Sequence, residues 1–395
     1  MENFTFHNPT KIVFGTGNLP SIGEETKPYG KKALLVYGQK SIKKLGVYDQ
    51  VVDALKKANI EIIEHSGVKP NPVLSHAREG VEKCKSSGVD VIVAAGGGSV
   101  IDEAKSIAAG AVSDADVWDF FMQKVPVNEA LPLIDVLTMP ATGTEMNGSM
   151  VITNEENQVK SGFVAHALHP KVSFLDPSLT YSIPKETTAH ACTDMIAHLV
   201  EGYFNSMEEF VPVVDGYIEG IIRGVMKSTD RVMEKPDDYD GRANIMWGAT
   251  LAWNGIGQRG FKGAYVPCHM MEHPLSGIYD IAHGAGLSIV IPAWMKYKKE
   301  DVRHRIELFG RNVMGIDPGS TSDLADTTIK ELEKWYRSIG TPVTFQEAGI
   351  ENPDYDALAE QADFLSNYMG VPGYTTEDIK SIYRLADEKE AYEKD

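Results

Sequence analysis

The stretch Val89-Asp90-Val91-Ile92-Val93-Ala94-Ala95-Gly96-Gly97-Gly98-Ser99-Val100-Ile101-Asp102 decides the fold. Its opening run, Val89 to Ala95, is almost continuously apolar, the composition of a strand buried on both faces. Three glycines and Ser99 break the run, and Val100, Ile101, Ala104, Ile107 and Ala108 follow at helical spacing. A glycine turn between a buried strand and a helix N-terminus lets a ligand approach the backbone. The exposed N–H groups and the helix dipole there attract phosphate. The pattern is neither GxGxxG nor a P-loop, because no Gly-Lys-Ser/Thr follows. Taken alone it fits a plain tight turn as well. Asp102, one turn into the helix, suits either stabilisation of the helix N-terminus or a contact to a cofactor hydroxyl.

Working outward, Ala33–Tyr37 is strand-like and ends at Gly38, and an amphipathic helix is expected over Gly46–Asn59. Ile60–Ile63 and Leu133–Leu137 read as further strands, and Ala77–Ser87 as a helix. Strands alternating with helices imply a mostly parallel sheet covered on both faces. A second polar loop, Thr138-Met139-Pro140-Ala141-Thr142-Gly143-Thr144-Glu145, follows the Leu133 strand. Its hydroxyls suit a sugar or diphosphate, although Thr142 or Thr144 equally suits a helix N-cap. Two such loops at strand C-termini favour a dinucleotide over a mononucleotide. The grammar changes at Asp176–Pro184, where two prolines mark a boundary. Helical spacing dominates beyond it, at Thr187–Phe204, Glu209–Lys227, Tyr239–Asn254 and onward. The expected organisation is an α/β domain over 1–183 and an all-helical domain over 184–395, with the active site in the cleft between them.

The chain has 395 residues and a formal charge of −18, which argues against nucleic-acid or anionic-membrane partners. Its three cysteines, Cys84, Cys192 and Cys268, form no CxxC pair, and a reducing cytoplasm is the simplest setting. No stretch approaches the run of about 18 apolar residues that a membrane span needs. The N-terminus lacks the features of a signal peptide. The tail around Asp387-Glu388-Lys389-Glu390 reads as the solvated end of a helix.

Metal chemistry is concentrated in two segments. Asp194-Met195-Ile196-Ala197-His198 is an i, i+4 pair, so a helix presents both side chains on one face. Downstream, His269-Met270-Met271-Glu272-His273 is followed by His283-Gly284. One such pair forms ordinary hydrogen bonds as readily as a site, but three further histidines in a second segment favour a metal. The donors are oxygen and imidazole without thiolate, which suits Fe(II) or Zn(II). Four protein ligands leave one of the three downstream histidines spare, free to carry a proton. Cys268, as a chain neighbour of His269, should point elsewhere.

Jointly, these motifs resemble the iron-dependent (group III) alcohol dehydrogenases. The resemblance rests on Gly96-Gly97-Gly98-Ser99-x-x-Asp102, Thr138-x-Pro140-Ala141-Thr142-Gly143-Thr144-Glu145, Asp194-x-x-x-His198, His269-x-x-x-His273-Pro274-Leu275-x-Gly277 and His283-Gly284. They occur in family order from about residue 10 to 290, and Glu272 with His273–Asp280 is most similar to the butanol dehydrogenase branch. The resemblance implies a Rossmann-like dinucleotide-binding α/β domain with a parallel sheet. It also implies an all-helical metal-binding domain, in the dehydroquinate-synthase-like architecture. By the same resemblance, Asp194, His198, His269 and His283 hold the metal and His273 lies near the nicotinamide. Gly97, Gly98 and Ser99 would meet the diphosphate, with Thr138, Thr142, Asn147 and Lys160 along the cofactor and Leu179 near the adenine. A short aliphatic aldehyde or primary alcohol is the implied substrate, and a homodimer the implied assembly.

One departure matters. NAD-preferring members carry an acidic residue after the first strand, where this chain has Gly38-Gln39-Lys40-Ser41. Glycine removes the charge clash with a 2′-phosphate, and Ser41 with Lys40 or Lys43 can donate to it. The expectation is therefore NADP(H), against the alternative that this is only a polar turn. Three rival readings accompany it: a glycerol- or polyol-type dehydrogenase, a cyclising lyase resembling dehydroquinate synthase, and a non-catalytic metal- or nucleotide-binding sensor.

Overall fold

In the computed structural model, which describes residues 1–157, 159–206 and 210–387, the apolar run forms a strand at Val91–Gly97 that feeds directly into a helix at Gly98–Ala111. In chain order the strands are β1 (Lys11–Phe14), β2 (Lys32–Tyr37), β3 (Glu61–Ser66), β4 (Val91–Gly97), β5 (Leu133–Met139), β6 (Ser149–Asn154), β7 (Val159–Val164) and β8 (Val172–Leu175). The helices between them are α1 (Ile22–Thr26), α2 (Ser41–Lys44), α3 (Val47–Lys57), α4 (Leu74–Ser87), α5 (Gly98–Ala111) and α6 (Val117–Phe121). After them come α7 (Lys185–Asn205), α8 (Pro212–Glu234), α9 (Tyr239–Ala252), α10 (Pro267–Tyr279), α11 (His283–Asn312), α12 (Leu324–Ser338), α13 (Tyr355–Met369) and α14 (Thr376–Leu385). The expected helix start at Glu209 and the tail residues Glu388, Lys389 and Glu390 lie outside the described residues.

The six-stranded sheet has the order β1-β8-β5-β4-β2-β3, and every pairing in it is parallel. Strand pleating sends Leu34, Val36, Ile92 and Ala94 into a core shared with α4 and α5. The alternate residues Leu35, Tyr37, Val91, Val93 and Ala95 enter a second core against α1 and α3. Both faces being covered, β4 needs an apolar residue at every position, which is why it reads as a continuous run. The short strand β8 lies inside the sheet, and β6 pairs with β7 as a separate antiparallel hairpin.

The chain divides into two compact units. The α/β unit comprises Phe6–Ile183 and Asp237–Asn254; the helical unit comprises Met1–Thr5, Pro184–Pro236 and Gly255–Asp395. The change of character at Ile183 coincides with a unit boundary, but α9 groups with the α/β unit and not with the helices around it in sequence. Buried polar contacts explain that placement. Thr250 donates to Glu145 at 2.5 Å, and Arg242 reaches the Ile183 carbonyl at 3.3 Å. The Met246 side chain enters the α4–α5 core, and Trp247 packs edge-on against Phe14.

Lys105 holds the polar loops of the α/β unit together. Its buried ammonium donates to Thr144 O at 2.7 Å, Thr144 Oγ1 at 2.8 Å, Asn147 O at 2.9 Å, Asn147 Oδ1 at 3.2 Å and Ser149 O at 2.8 Å. Burial pushes this lysine down to about 8, opposed by Asp102, Asp135 and Glu145. Breaking one partner of such a buried network typically costs about 3–5 kcal/mol. The segment that follows β5 is thereby fixed to α5, the helix that opens on the glycine turn. Among the described residues no helix is long and apolar enough to cross a membrane.

Candidate functional site

In the helical unit, α7 carries Asp194, His198 and Glu201 at i, i+4 and i+7, one face of the helix. Helix α10 contributes His269, Glu272 and His273. It ends at Asp280, whose left-handed backbone (φ 53°) turns the chain so that His283 opens α11 beside α10. Gly284 lets the start of α11 approach α7, because a Cβ there would lie 2.0 Å from the His190 carbonyl oxygen. Three imidazole Nε2 atoms converge on one carboxylate oxygen. Asp194 Oδ1 lies 3.4 Å from His198, 3.5 Å from His269 and 3.7 Å from His283. The His198 and His269 rings stack, with centroids 4.5 Å apart.

The far nitrogens of two rings are held by carboxylates. His269 Nδ1 bonds Glu201 Oε2, and Glu201 Oε1 accepts from the backbone N–H of Cys268 and, at 3.1 Å, of His269. His283 Nδ1 bonds Glu272, whose other oxygen accepts from Ser276. A ring that gives its Nδ1 proton to a carboxylate presents a bare Nε2 inward, the usual posture of a metal-ligating histidine. Asp194, Glu201 and Glu272 are all buried, so their negative charge needs compensation. Asp194 Oδ1 and His269 Nε2 are buried without a hydrogen bond to any described residue. This donor set fits a divalent cation.

Electrostatics agree with the geometry. Burial works to raise Asp194, yet His198, His269 and His283 outweigh it and hold the carboxyl well below its ordinary range. Burial pushes His198 down to about 3, so the ring is neutral. Burial also acts to lower His269, but Glu201 and Asp194 prevail and push it up to about 10. Without an ion the cluster therefore keeps a compensating proton on His269, which a divalent cation would displace. Burial, reinforced by Glu201, raises the Cys268 thiol well above its ordinary value and keeps it protonated. His273 is half-buried, with its ring centroid 5.6 Å from that of His283.

In the α/β unit, Gly97, Gly98 and Ser99 are half-buried at the β4–α5 turn, where Gly97 pairs with Met139 at the end of β5. Thr138 precedes Met139 on the same strand end. Thr142 Oγ1 is buried and bonds no described residue; a Cβ on Gly98 would sit 2.9 Å from it. An orphaned hydroxyl beside an uncapped helix N-terminus fits a phosphate ligand. Gly38 is half-buried after β2, and Ser41 opens the short helix α2 on the surface. Leu179 is packed in the α1–α3 core. Lys160 on β7 donates to Asn71 at 3.1 Å, and Asn71 itself has a left-handed backbone (φ 53°).

Two residues expected along the cofactor are engaged within the α/β unit. Asp102 is buried and both oxygens are engaged internally, by Thr144 Oγ1 at 2.6 Å and by the Val151 N–H at 3.1 Å. Asn147 gives its amide to the Thr142 carbonyl at 3.2 Å and its oxygen to the Ser149 N–H at 2.8 Å and to Lys105. Both side chains shape the loops from within. Sequence reasoning passed over Glu201, Lys105 and Asn71, and gave Glu272 no role. Glu201 was within reach as the i+7 continuation of the Asp194–His198 face.

Residues 9–177 match the family described as iron-containing alcohol dehydrogenase, and residues 188–386 match the C-terminal family of the Fe-containing alcohol dehydrogenases. NADH-dependent butanol dehydrogenase A of Clostridium acetobutylicum is 40% identical over 97% of this chain and 99% of its own length. NADPH-dependent aldehyde reductase YqhD of Escherichia coli is 32% identical over 92% of this chain and 93% of its own. A crystal structure of NADH-dependent butanol dehydrogenase A from Thermotoga maritima is 47% identical, with a TM-score of 0.94, covering 98% of this chain and 99% of that one.

Glu201→Gln tests the orienting role of the outer carboxylates. It is expected to weaken divalent-cation binding by about 10–100-fold, read by titrating metal-free protein with Zn²⁺. Unchanged affinity would mean that Glu201 does not set the posture of His269.

Proposed function

The chain belongs to the iron-containing alcohol dehydrogenase family, and from that premise we propose that it interconverts a short aliphatic aldehyde and its primary alcohol, using NADP(H) and a divalent metal, Fe(II) or Zn(II). The observation that carries this reading is the convergence of three imidazole nitrogens on buried Asp194 Oδ1. Asp194, His198, His269 and His283 are the proposed ligands. A divalent ion in this position supplies a Lewis acid that polarises a carbonyl or acidifies a hydroxyl. The nicotinamide supplies the hydride donor or acceptor.

The protein's own groups do the rest. Glu201 and Glu272 fix the tautomers of His269 and His283, so that neither ring must turn before a ligand binds. The N–H groups of Gly98 and Ser99 and the Thr142 hydroxyl are proposed to hold the cofactor diphosphate, with Gly97 allowing close approach. Lys160, kept in place by Asn71, adds positive charge along the cofactor. His273, beside His283 but outside the ligand set, is proposed to accept and return the hydroxyl proton.

The NADP(H) preference rests on Gly38-Gln39-Lys40-Ser41. No carboxylate follows β2, and Lys40 and Ser41 are exposed at the start of α2. The carboxylate next to this strand end, Glu64, is bound by the Tyr37 hydroxyl at 2.5 Å and the Tyr48 hydroxyl at 2.8 Å. Named relatives divide on this point, the Clostridium enzyme being described as NADH-dependent and the E. coli enzyme as NADPH-dependent.

Oxidation of NADPH and NADH by iron-loaded protein, measured with short linear aldehydes, tests the reading. The expected kcat/KM favours NADPH by about tenfold or more, the worth of one charge-assisted contact to the 2′-phosphate. A preference for NADH would overturn the cofactor assignment, and metal-replete protein inactive on every aldehyde would overturn the activity. His273→Asn is expected to lower kcat by about a hundredfold and to shift its pH profile while metal content stays unchanged. Loss of metal from that variant would make His273 a ligand.

A further inference from the structure

A second cluster of metal-binding side chains lies in the α/β unit, apart from every group used above. His65 stands on the edge strand β3, His76 in the first turn of α4 and Glu103 in the second turn of α5. His65 and Glu103 are completely buried, and the His76 side chain keeps 21% exposure. Glu103 Oε1 lies 2.7 Å from His76 Nδ1 and 3.3 Å from His65 Nε2. Glu103 Oε2 and His65 Nε2 are buried without a hydrogen bond to any described residue. We propose that His65, His76 and Glu103 form a second divalent-metal site that takes a zinc-class cation.

The arrangement repeats that of the first cluster. There, two stacked imidazoles, 4.5 Å apart and inclined by 16°, direct nitrogens at one buried carboxylate oxygen. Here His65 and His76 stack at 4.1 Å and 24° over Glu103. Bonds of about 2.0–2.1 Å in a tetrahedral site place neighbouring donors about 3.3 Å apart. The His65–Glu103 spacing already has that value, and the His76–Glu103 spacing needs to open by about half an ångström. Two imidazoles and a carboxylate suit zinc and exclude a preference for calcium or magnesium. His76 Nε2 donates to the Ser66 carbonyl at 3.2 Å, which leaves Nδ1 as the donor atom toward an ion. Its partial exposure provides a route of entry from solvent.

One group opposes loading. The Lys83 ammonium is 3.2 Å from His65 Nδ1, so the neutral ring there carries its proton on Nε2. Binding moves that proton to Nδ1, and Lys83 retires to the Glu64 carbonyl, which is already 3.4 Å away. The alternative for the cluster is a purely protonic one, in which an imidazolium at His76 neutralises Glu103. An ion in the cluster would tie β3, α4 and α5 together, stiffening the helix that opens on the glycine turn.

The test compares full-length wild-type protein with His76→Leu and Glu103→Ser, all three retaining the Asp194 cluster. The proteins are saturated with Zn²⁺, desalted and analysed for bound zinc, with circular dichroism confirming the fold. Wild type is expected to bind one more equivalent than either variant, and Lys83→Met to bind that equivalent more tightly. Zinc-edge anomalous scattering from wild-type crystals soaked in Zn²⁺ should peak among His65, His76 and Glu103, a result independent of whether either variant folds. Equal zinc content in all three proteins, or no anomalous peak at the cluster, overturns the site and leaves the protonic pair. Neither outcome depends on the aldehyde assay, so the two readings fail separately.

Discussion

Charge compensation around Asp194 is the constraint on which the helical unit depends. Asp194, Glu201 and Glu272 are withdrawn from water, and the imidazoles of His198, His269 and His283 are ranged against them. Buried carboxylates in that setting must be neutralised. The two outer carboxylates are satisfied by the Nδ1 atoms of His269 and His283 and by backbone N–H groups. That solution turns the remaining nitrogens toward Asp194, where a divalent cation would offset most of the buried negative charge. The close-packing residues follow from the same demand: Gly284 brings α11 against α7, and Gly286 leaves space for Glu272, which a Cβ there would meet at 2.6 Å.

The α/β unit solves a different problem, the anchoring of irregular loops at the ends of buried strands. Loops at strand ends carry backbone groups without ladder partners, and these must be paired elsewhere. Lys105 supplies the donors from the interior of α5, while Asp102 on the same helix accepts from Thr144 and Val151. The glycine turn and the Thr138–Glu145 loop are thus referred to one rigid helix. The surface they present is set by buried hydrogen bonds to that helix.

Legibility in the sequence followed the range of the interactions. The β4 strand, its glycine turn and α5 were readable because burial on both faces leaves an unbroken apolar run and glycine punctuation marks its end. The Asp194–His198 face was readable because helical spacing is local. By contrast, β8 has only Val172-Ser173-Phe174-Leu175, too short for a period, yet it occupies an inner place in the sheet. The internal partners of Asp102 and Asn147 were not readable, because spacing does not reveal which loop groups a polar side chain bonds. Sequence spacing also could not pair Glu201 with His269, 68 residues away, or assign α9 to the α/β unit. These features depend on tertiary partners.

Asp194, His198, His269 and His283 would hold one cation by three imidazoles and one carboxylate, without sulfur. X-ray absorption at the iron edge, on protein loaded with a single equivalent of Fe²⁺, tests this ligation most directly. The expected spectrum shows nitrogen and oxygen neighbours at about 2.0–2.2 Å with multiple-scattering features of about three imidazoles. A sulfur scatterer near 2.3 Å, the mark of Cys268 at the metal, or a shell with only one imidazole would contradict it.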